Sequence, residues 1–241
     1  MRCWTLLLLL LMPAASLAQQ DPDPVTEPRP IDEGLRDSYG AVGRVQRGSE
    51  QAPQICSGAL VAPDLVLTAA HCTGTQHAGT DTARPRIAFE AGWDHGTTLA
   101  VREVDRIVRH PFYLLNLGER FRHDVALLHL AKPIHEIAPL PVARPRDDEH
   151  DFAFVGYSNA QPDVLTGGLS CPKRAFTSGL LLVGCMVKSG HSGSPLLSQR
   201  DQGQVIIGVL VASGGETGAI ALQVNGWVID MIDTLSRPDT R

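Results

Sequence analysis

Three short stretches of this 241-residue chain carry the residue types needed to attack an acyl group. A serine nucleophile needs a base to take its proton, an acid to orient that base, and N–H donors for the oxyanion that forms. Thr68-Ala69-Ala70-His71-Cys72 follows an apolar run and offers the base. His123-Asp124-Val125-Ala126-Leu127-Leu128 opens another run and offers the acid. Gly190-His191-Ser192-Gly193-Ser194-Pro195 is a small-residue turn before Leu196-Leu197 and offers the nucleophile. Singly, each would be an ordinary packed histidine, strand-start aspartate or turn serine. It is their joint presence that argues for chemistry.

The elements that must position these residues are short. Apolar runs at Ala59 to Val61, Leu65 to Leu67, Ile87 to Phe89, Val125 to Leu130, Phe152 to Val155 and Val205 to Ala212 are separated by Gly and Pro. That spacing predicts an all-β barrel or sandwich. Near the end, Val224, Trp227, Val228, Met231, Ile232 and Leu235 recur at three- and four-residue intervals, which predicts an amphipathic helix. The proline-rich stretch from Ile137 to Pro145 is a candidate link between two halves. No internal repeat is visible.

The first residues have the layout of a cleavable export signal: Arg2, the apolar run Leu6 to Met12, then Ser16-Leu17-Ala18. The run falls short of the roughly 20 residues that span a bilayer, so cleavage after Ala18 and a soluble mature chain are expected. From Gln19 to Tyr39 an acidic stretch broken by Pro22, Pro24, Pro28 and Pro30 predicts an extended arm or propeptide. Cleavage removes Cys3 and leaves Cys56, Cys72, Cys171 and Cys185, an even set that an oxidising compartment would pair. Three pairings are open; joining neighbours closes two loops of about 15 residues, each worth about 3 kcal/mol. A zinc site fits less well, because no closely spaced Cys pair exists. There is no His-Glu-x-x-His metal motif and no calcium-loop pattern, so neither a metal nor another cofactor is expected. His77, His95, His129, His135 and His150 are expected at the surface or in loops. A net charge of −5 without a basic run gives no footprint for nucleic acid or anionic membrane. Protein or peptide partners are expected.

The three segments resemble the signature regions of chymotrypsin-like serine proteases, in the same order His, Asp, Ser. The resemblance runs from about Tyr39 to Leu235. It includes Cys56-Ser57-Gly58, His110-Pro111 and Gly156-Tyr157, and the ending Ser-Gly-Ser-Pro is similar to the bacterial glutamyl-endopeptidase branch. It implies two six-stranded antiparallel β-barrels with a C-terminal helix and a cleft between the barrels. The expected division is a signal at 1–18, an arm at 19–39, an N-terminal barrel at 40–140 and a C-terminal barrel with the helix at 141–241. The implied activity is that of a monomeric endopeptidase, secreted or periplasmic, acting on protein or peptide substrates. By the same resemblance, His71, Asp124 and Ser192 form the triad, and the N–H groups of Gly190 and Ser192 form the oxyanion hole. Met186, Ser213 and Ala219 line the primary pocket, Cys56 pairs with Cys72, and Cys171 pairs with Cys185 beside that pocket.

The sequence also departs from that family. His191 stands where most trypsin-like members carry an aspartate that pairs with a freed amino terminus, and a histidine supplies no permanent anion. A site that forms without that ion pair is expected. Val211 replaces a serine that usually touches the catalytic aspartate. Met186 is not acidic, so medium-sized apolar residues rather than Arg or Lys are the expected specificity. A silent homologue that only binds is the main competing function. An α/β-hydrolase is excluded by order, since no histidine follows the serine.

Overall fold

The computed structural model describes residues 25–49, 52–74, 86–113, 115 and 120–237. The expected export signal, Cys3, His77 and the start of the arm lie outside the described residues.

The first barrel is built from β2 (Val42–Ser49), β3 (Ala52–Ala62), β4 (Leu65–Thr68), β5 (Ile87–Ala91), β6 (Ala100–Arg109) and β7 (Ala126–Leu130). It closes in the order β2-β3-β4-β7-β6-β5. Alternation explains β5, where Ile87, Phe89 and Ala91 are buried and the residues between them are not. All of Leu65–Thr68 is buried, because β4 has the barrel interior on one side and the second barrel on the other. Val45, Leu60, Val66, Phe89, Leu128 and Leu130 fill the interior.

The second barrel comprises β8 (Asp151–Ser158), β9 (Gln161–Thr177), β10 (Leu180–Val183), β11 (Pro195–Arg200), β12 (Gly203–Ser213) and β13 (Ala219–Gln223). Its strands run β9-β10-β13-β12-β11-β8, and β8 pairs back to β9 to close it. Phe152, Phe154, Leu181, Leu196, Ile207 and Leu210 form its interior. All pairings within the two barrels are antiparallel. Both disulfides join sequence neighbours, Cys56–Cys72 and Cys171–Cys185, one in each barrel region.

A third apolar cluster joins the barrels: Val42, Leu67 and Val125 from the first meet Val155, Tyr157, Leu197 and Val211 from the second. Around it, the buried Arg44 pairs with Glu90 at 2.6 Å, donates to Pro162 O at 3.2 Å and lies 3.6 Å over the Trp93 ring. Tyr157 donates its hydroxyl to Trp93 O at 2.8 Å, and burial pushes its ionisation well above the usual phenol range. Neutral Tyr157 and paired Arg44 therefore leave no uncompensated charge at the junction.

The described part of the arm is bound along its length. Thr26 exchanges main-chain hydrogen bonds with Gly184 and Met186, at 3.1 and 2.8 Å. β1 (Arg29–Pro30) adds to the edge of β9, and Ile31 is buried. The arm is not extended throughout: α1 (Glu33–Arg36) and a 3₁₀ turn at Asp37–Tyr39 lead into the first barrel. The prolines that forbid a helix end at Pro30, so nothing in 33–39 prevents one. The stretch from Ile137 to Pro145 bonds first to one barrel, Leu140 N–H to Leu60 O, and then to the other, Ala143 N–H to Ile206 O.

The predicted terminal helix is α2 (Gly226–Leu235). It starts after Asn225, whose side-chain oxygen accepts the Val228 N–H at 3.2 Å and so caps an otherwise orphaned donor. Val228 and Leu235 are buried, and Trp227 lies 4.8 Å from the His110 ring. His129 departs from the surface or loop position expected of it. It sits on β7, mostly buried, with Nδ1 2.8 Å from Asp105 and Nε2 3.7 Å from Asp64. The alternation of β7 turns it outward from the barrel interior, where Asp105 holds Nδ1 and Nε2 is buried without a hydrogen-bond partner.

Candidate active site

β4 delivers the first group. It ends at Thr68, and a 3₁₀ turn at Ala70–Thr73 presents His71 at the barrel rim. The turn is pinned twice. Cys72 is bonded to Cys56 on β3, and Arg109 at the end of β6 donates to Thr73 Oγ1 at 2.6 Å and Thr73 O at 3.1 Å. Asp124 lies just ahead of β7 and is 2% exposed. Its two oxygens both go to His71: Oδ2 lies 2.7 Å from the ring Nδ1, and Oδ1 accepts the main-chain N–H at 2.8 Å. An ionised carboxylate only accepts, so Nδ1 carries the hydrogen, and in the neutral ring Nε2 is then the bare nitrogen. The second bond locks the histidine main chain to the same carboxylate, which fixes ring and backbone together. Val211 is buried and offers no hydroxyl to Asp124.

Ser192 comes from the other barrel, on the turn ahead of β11. Its carbonyl accepts the Ser57 N–H at 2.8 Å, which sets the turn against the strand that bears Cys56. Gly193 donates to Leu210 O at 2.7 Å and Ser194 to His191 O at 3.0 Å. The Ser192 hydroxyl and the His71 ring form no hydrogen bond with each other. Such contacts commonly tighten only when substrate is bound.

The N–H groups of Gly190 and Ser192 are engaged by no partner. The direction of the first is fixed by its neighbours. Ser189 O accepts the Asn159 N–H at 2.7 Å, so the Gly190 N–H on the opposite side of that peptide points away from β8. Gly190 O accepts the Ser57 hydroxyl at 3.0 Å, and Ser57 Oγ in turn accepts the Tyr157 N–H at 2.8 Å. Gly190 has φ +103, and a Cβ there would meet Tyr157 O at 2.8 Å; at Gly193, φ +83, one would meet Ser57 O at 2.2 Å. Both glycines are therefore required by shape. Ser57 and Thr68, whose hydroxyl holds Ser57 O at 2.7 Å, support the turn through contacts that no local motif signals.

Beside Ser192 is a cavity of about 130 Å³ lined by Val187, Lys188, Leu210, Ala212 and Ser213. Of the residues expected in the primary pocket, Ser213 is there. Met186 is adjacent but not on the wall, its N–H held by Thr26 of the arm. Ala219 is wholly buried, paired with Val183 and Ser213 inside the barrel sheet. The main-chain bonds of the arm to Gly184 and Met186 are long-range contacts that local sequence does not contain. Lys188 on the wall is paired with Glu27 at 3.2 Å, both half exposed. The one metal-like grouping among the described residues, Cys56, His71 and Cys72, has its sulfurs in a disulfide and offers no thiolate. A larger cavity, of about 300 Å³ and lined by Arg144 and Lys173, contains none of these residues.

Two closed antiparallel barrels, with a histidine–aspartate pair on one and a serine turn on the other, define the architecture of a chymotrypsin-like serine peptidase. Residues 56–209 match the trypsin-like peptidase domain, and the chain belongs to that family. It is 33% identical to a tryptase from Mus musculus over 91 residues, 36% of this chain and 31% of the tryptase, so it spans about a third of that relative. Among solved structures, a Glu endopeptidase in complex with MPD superposes with a TM-score of 0.73 at 18% identity, covering 87% of this chain and 96% of the other. A thermostable serine protease from an extremophilic microorganism gives 0.64 at 19% identity, covering 83% and 100%. At these identities the likeness is one of fold.

Proposed function

We propose that the chain is a serine endopeptidase acting through Ser192, His71 and Asp124. The observation that carries this reading is the site's division of labour: a histidine held by one buried carboxylate through ring and main chain, facing a serine turn with two unpaired N–H groups. Ser192 Oγ bonds to the scissile carbonyl carbon while His71 Nε2 takes the hydroxyl proton. The developing oxyanion is met by the Gly190 and Ser192 N–H groups, each worth about 10²- to 10³-fold in rate. His71 returns the proton to the amine as the C–N bond breaks, and water then repeats the sequence on the acyl-enzyme. Asp124 stabilises the charged imidazole without taking its proton. A silent homologue has less support, since its oxyanion donors need not be left free.

In this reading the cavity beside Ser192 accepts a medium-sized apolar side chain, with Val187, Leu210 and Ala212 as walls. Its one ammonium, Lys188, is already paired with Glu27, which weighs against a glutamate pocket. Cleavage of a quenched peptide library is expected to favour Val or Leu over Glu at the cleaved residue by tenfold or more. Glu27→Gln, by freeing Lys188, is expected to narrow that preference severalfold. Preferred cleavage after Glu by the unaltered protein would overturn this pocket. No cleavage of any library member would remove the endopeptidase reading.

We also assign the described arm a structural part, since it clamps the pocket segment through Thr26 and Met186. Two disulfides fit an oxidising compartment, secreted or periplasmic, and no described helix is long and apolar enough to cross a membrane.

A further inference from the structure

His191, immediately before the nucleophile, is 1% exposed, and every polar atom of its ring is used. The Lys188 N–H donates to Nδ1 at 3.1 Å, which makes Nδ1 the bare nitrogen and places the hydrogen on Nε2. That Nε2–H meets Thr166 Oγ1 on β9 at 2.8 Å, and the Thr166 hydroxyl donates onward to Gly156 O at 3.3 Å. The Phe154 ring from β8 packs edge-on at 5.2 Å. The main chain closes the same turn, His191 N–H to Lys188 O at 3.0 Å. The turn that carries Gly190 is thus closed by the imidazole as well as by the backbone. It is also moored to β9 beneath β1, since Pro30 pairs with Thr166.

We propose that His191 is a positioning residue: as a neutral imidazole bridging the Lys188 N–H and the Thr166 hydroxyl, it holds the 188–192 turn with the Gly190 and Ser192 N–H groups free. This rests on the reading of Ser192 as nucleophile. It replaces, without charge, the ion pair that shapes this turn in other family members. An uncharged brace requires no newly freed amine, so the site forms with the arm attached.

The brace has an acid limit. Burial, and secondarily the Lys188 charge, lower the His191 pKa to about 4. The charged groups about the ring are Lys188 on its own turn and Glu27 of the arm, which pairs with Lys188; β8 and β9 present Phe154 and Thr166. A proton on Nδ1 would face the Lys188 N–H, donor against donor. With the folded pKa below the ordinary imidazole value, the contribution to stability is full above about pH 6.5 and is lost as the pH falls toward 4.

The test compares His191→Leu, His191→Asn and Thr166→Val in the full chain, reading fluorophosphonate labelling rate, kcat and KM. Leu fills the space without an acceptor, and a loss of about 10²- to 10³-fold in labelling and kcat is expected, with KM within a few fold. Asn places Oδ1 where Nδ1 was and keeps the Lys188 bond, so it should recover at least tenfold of that loss. It should also lose less stability than the unaltered chain between about pH 6.5 and 4, since it does not titrate. Thr166→Val, which preserves volume, should lose roughly tenfold if the hydroxyl orients the ring, and it stands in should His191→Leu not fold. Folded His191→Leu labelled at the unaltered rate, or Asn no better than Leu, overturns the proposal alone. An unaltered chain that does not label removes the nucleophile, and the proposal with it.

Discussion

His71→Ala is expected to lower kcat by about 10⁶-fold while KM changes by less than about tenfold. In the proposed mechanism the ring takes the proton from Ser192, and a serine hydroxyl has almost no nucleophilic power without such a base. In that mechanism substrate is held by the cavity and main chain around Ser192, which the substitution leaves alone. The turn at Ala70–Thr73 should survive, because the main-chain bond to Asp124, the Cys72 bridge and the Arg109 clamp all remain. What is lost structurally is the partner of Asp124 Oδ2, a buried acceptor left unsatisfied at a cost of about 1–3 kcal/mol. Steady-state kinetics with a library-derived peptide, beside thermal unfolding, checks both parts. A loss of less than about 10³-fold in a folded protein would show that His71 is not the base.

Asp124→Asn isolates the second role, with an expected fall in kcat of about 10⁴-fold. One amide oxygen replaces two carboxylate oxygens that each hold a hydrogen bond to His71. If the oxygen keeps the main-chain N–H, the amide NH₂ is turned toward Nδ1, which must then give up its hydrogen. The proton moves to Nε2, and the nitrogen that should accept from Ser192 becomes a donor. The shape is retained, so the melting temperature should move little compared with the activity. Both side-chain hydrogen bonds of Asp124 go to His71, so none to another group compensates for the lost oxygen. A variant within tenfold of the unaltered enzyme would contradict the orienting role.

The surroundings of Ser192 were readable in sequence because they are local: a histidine after a strand, an aspartate before one, and a glycine-rich turn whose shape forbids a Cβ at Gly190. Strands with buried apolar runs, such as β4 and β12, were readable for the same reason. β6 was not, since Arg102, Glu103, Asp105 and Arg106 interrupt it, and its pairing with β5 and β7 is carried by the main chain. β9 is polar and glycine-bearing, and only its partners β8, β10 and β1 make it a strand. The pocket was the least legible part. The family resemblance pointed to Ser213, which lines the cavity, but the arm's hold on Met186 and the burial of Ala219 are long-range facts that no local pattern contains. Thr166 escaped notice likewise, being 25 residues from the histidine it supports.

The central claim is that Ser192 is an activated nucleophile, and intact mass after exposure to a fluorophosphonate tests it most directly. A single covalent adduct on the unaltered protein, absent from Ser192→Ala and strongly slowed in His71→Ala, is the predicted result. A folded protein that gains no adduct, with the arm present and with it removed, would contradict the account.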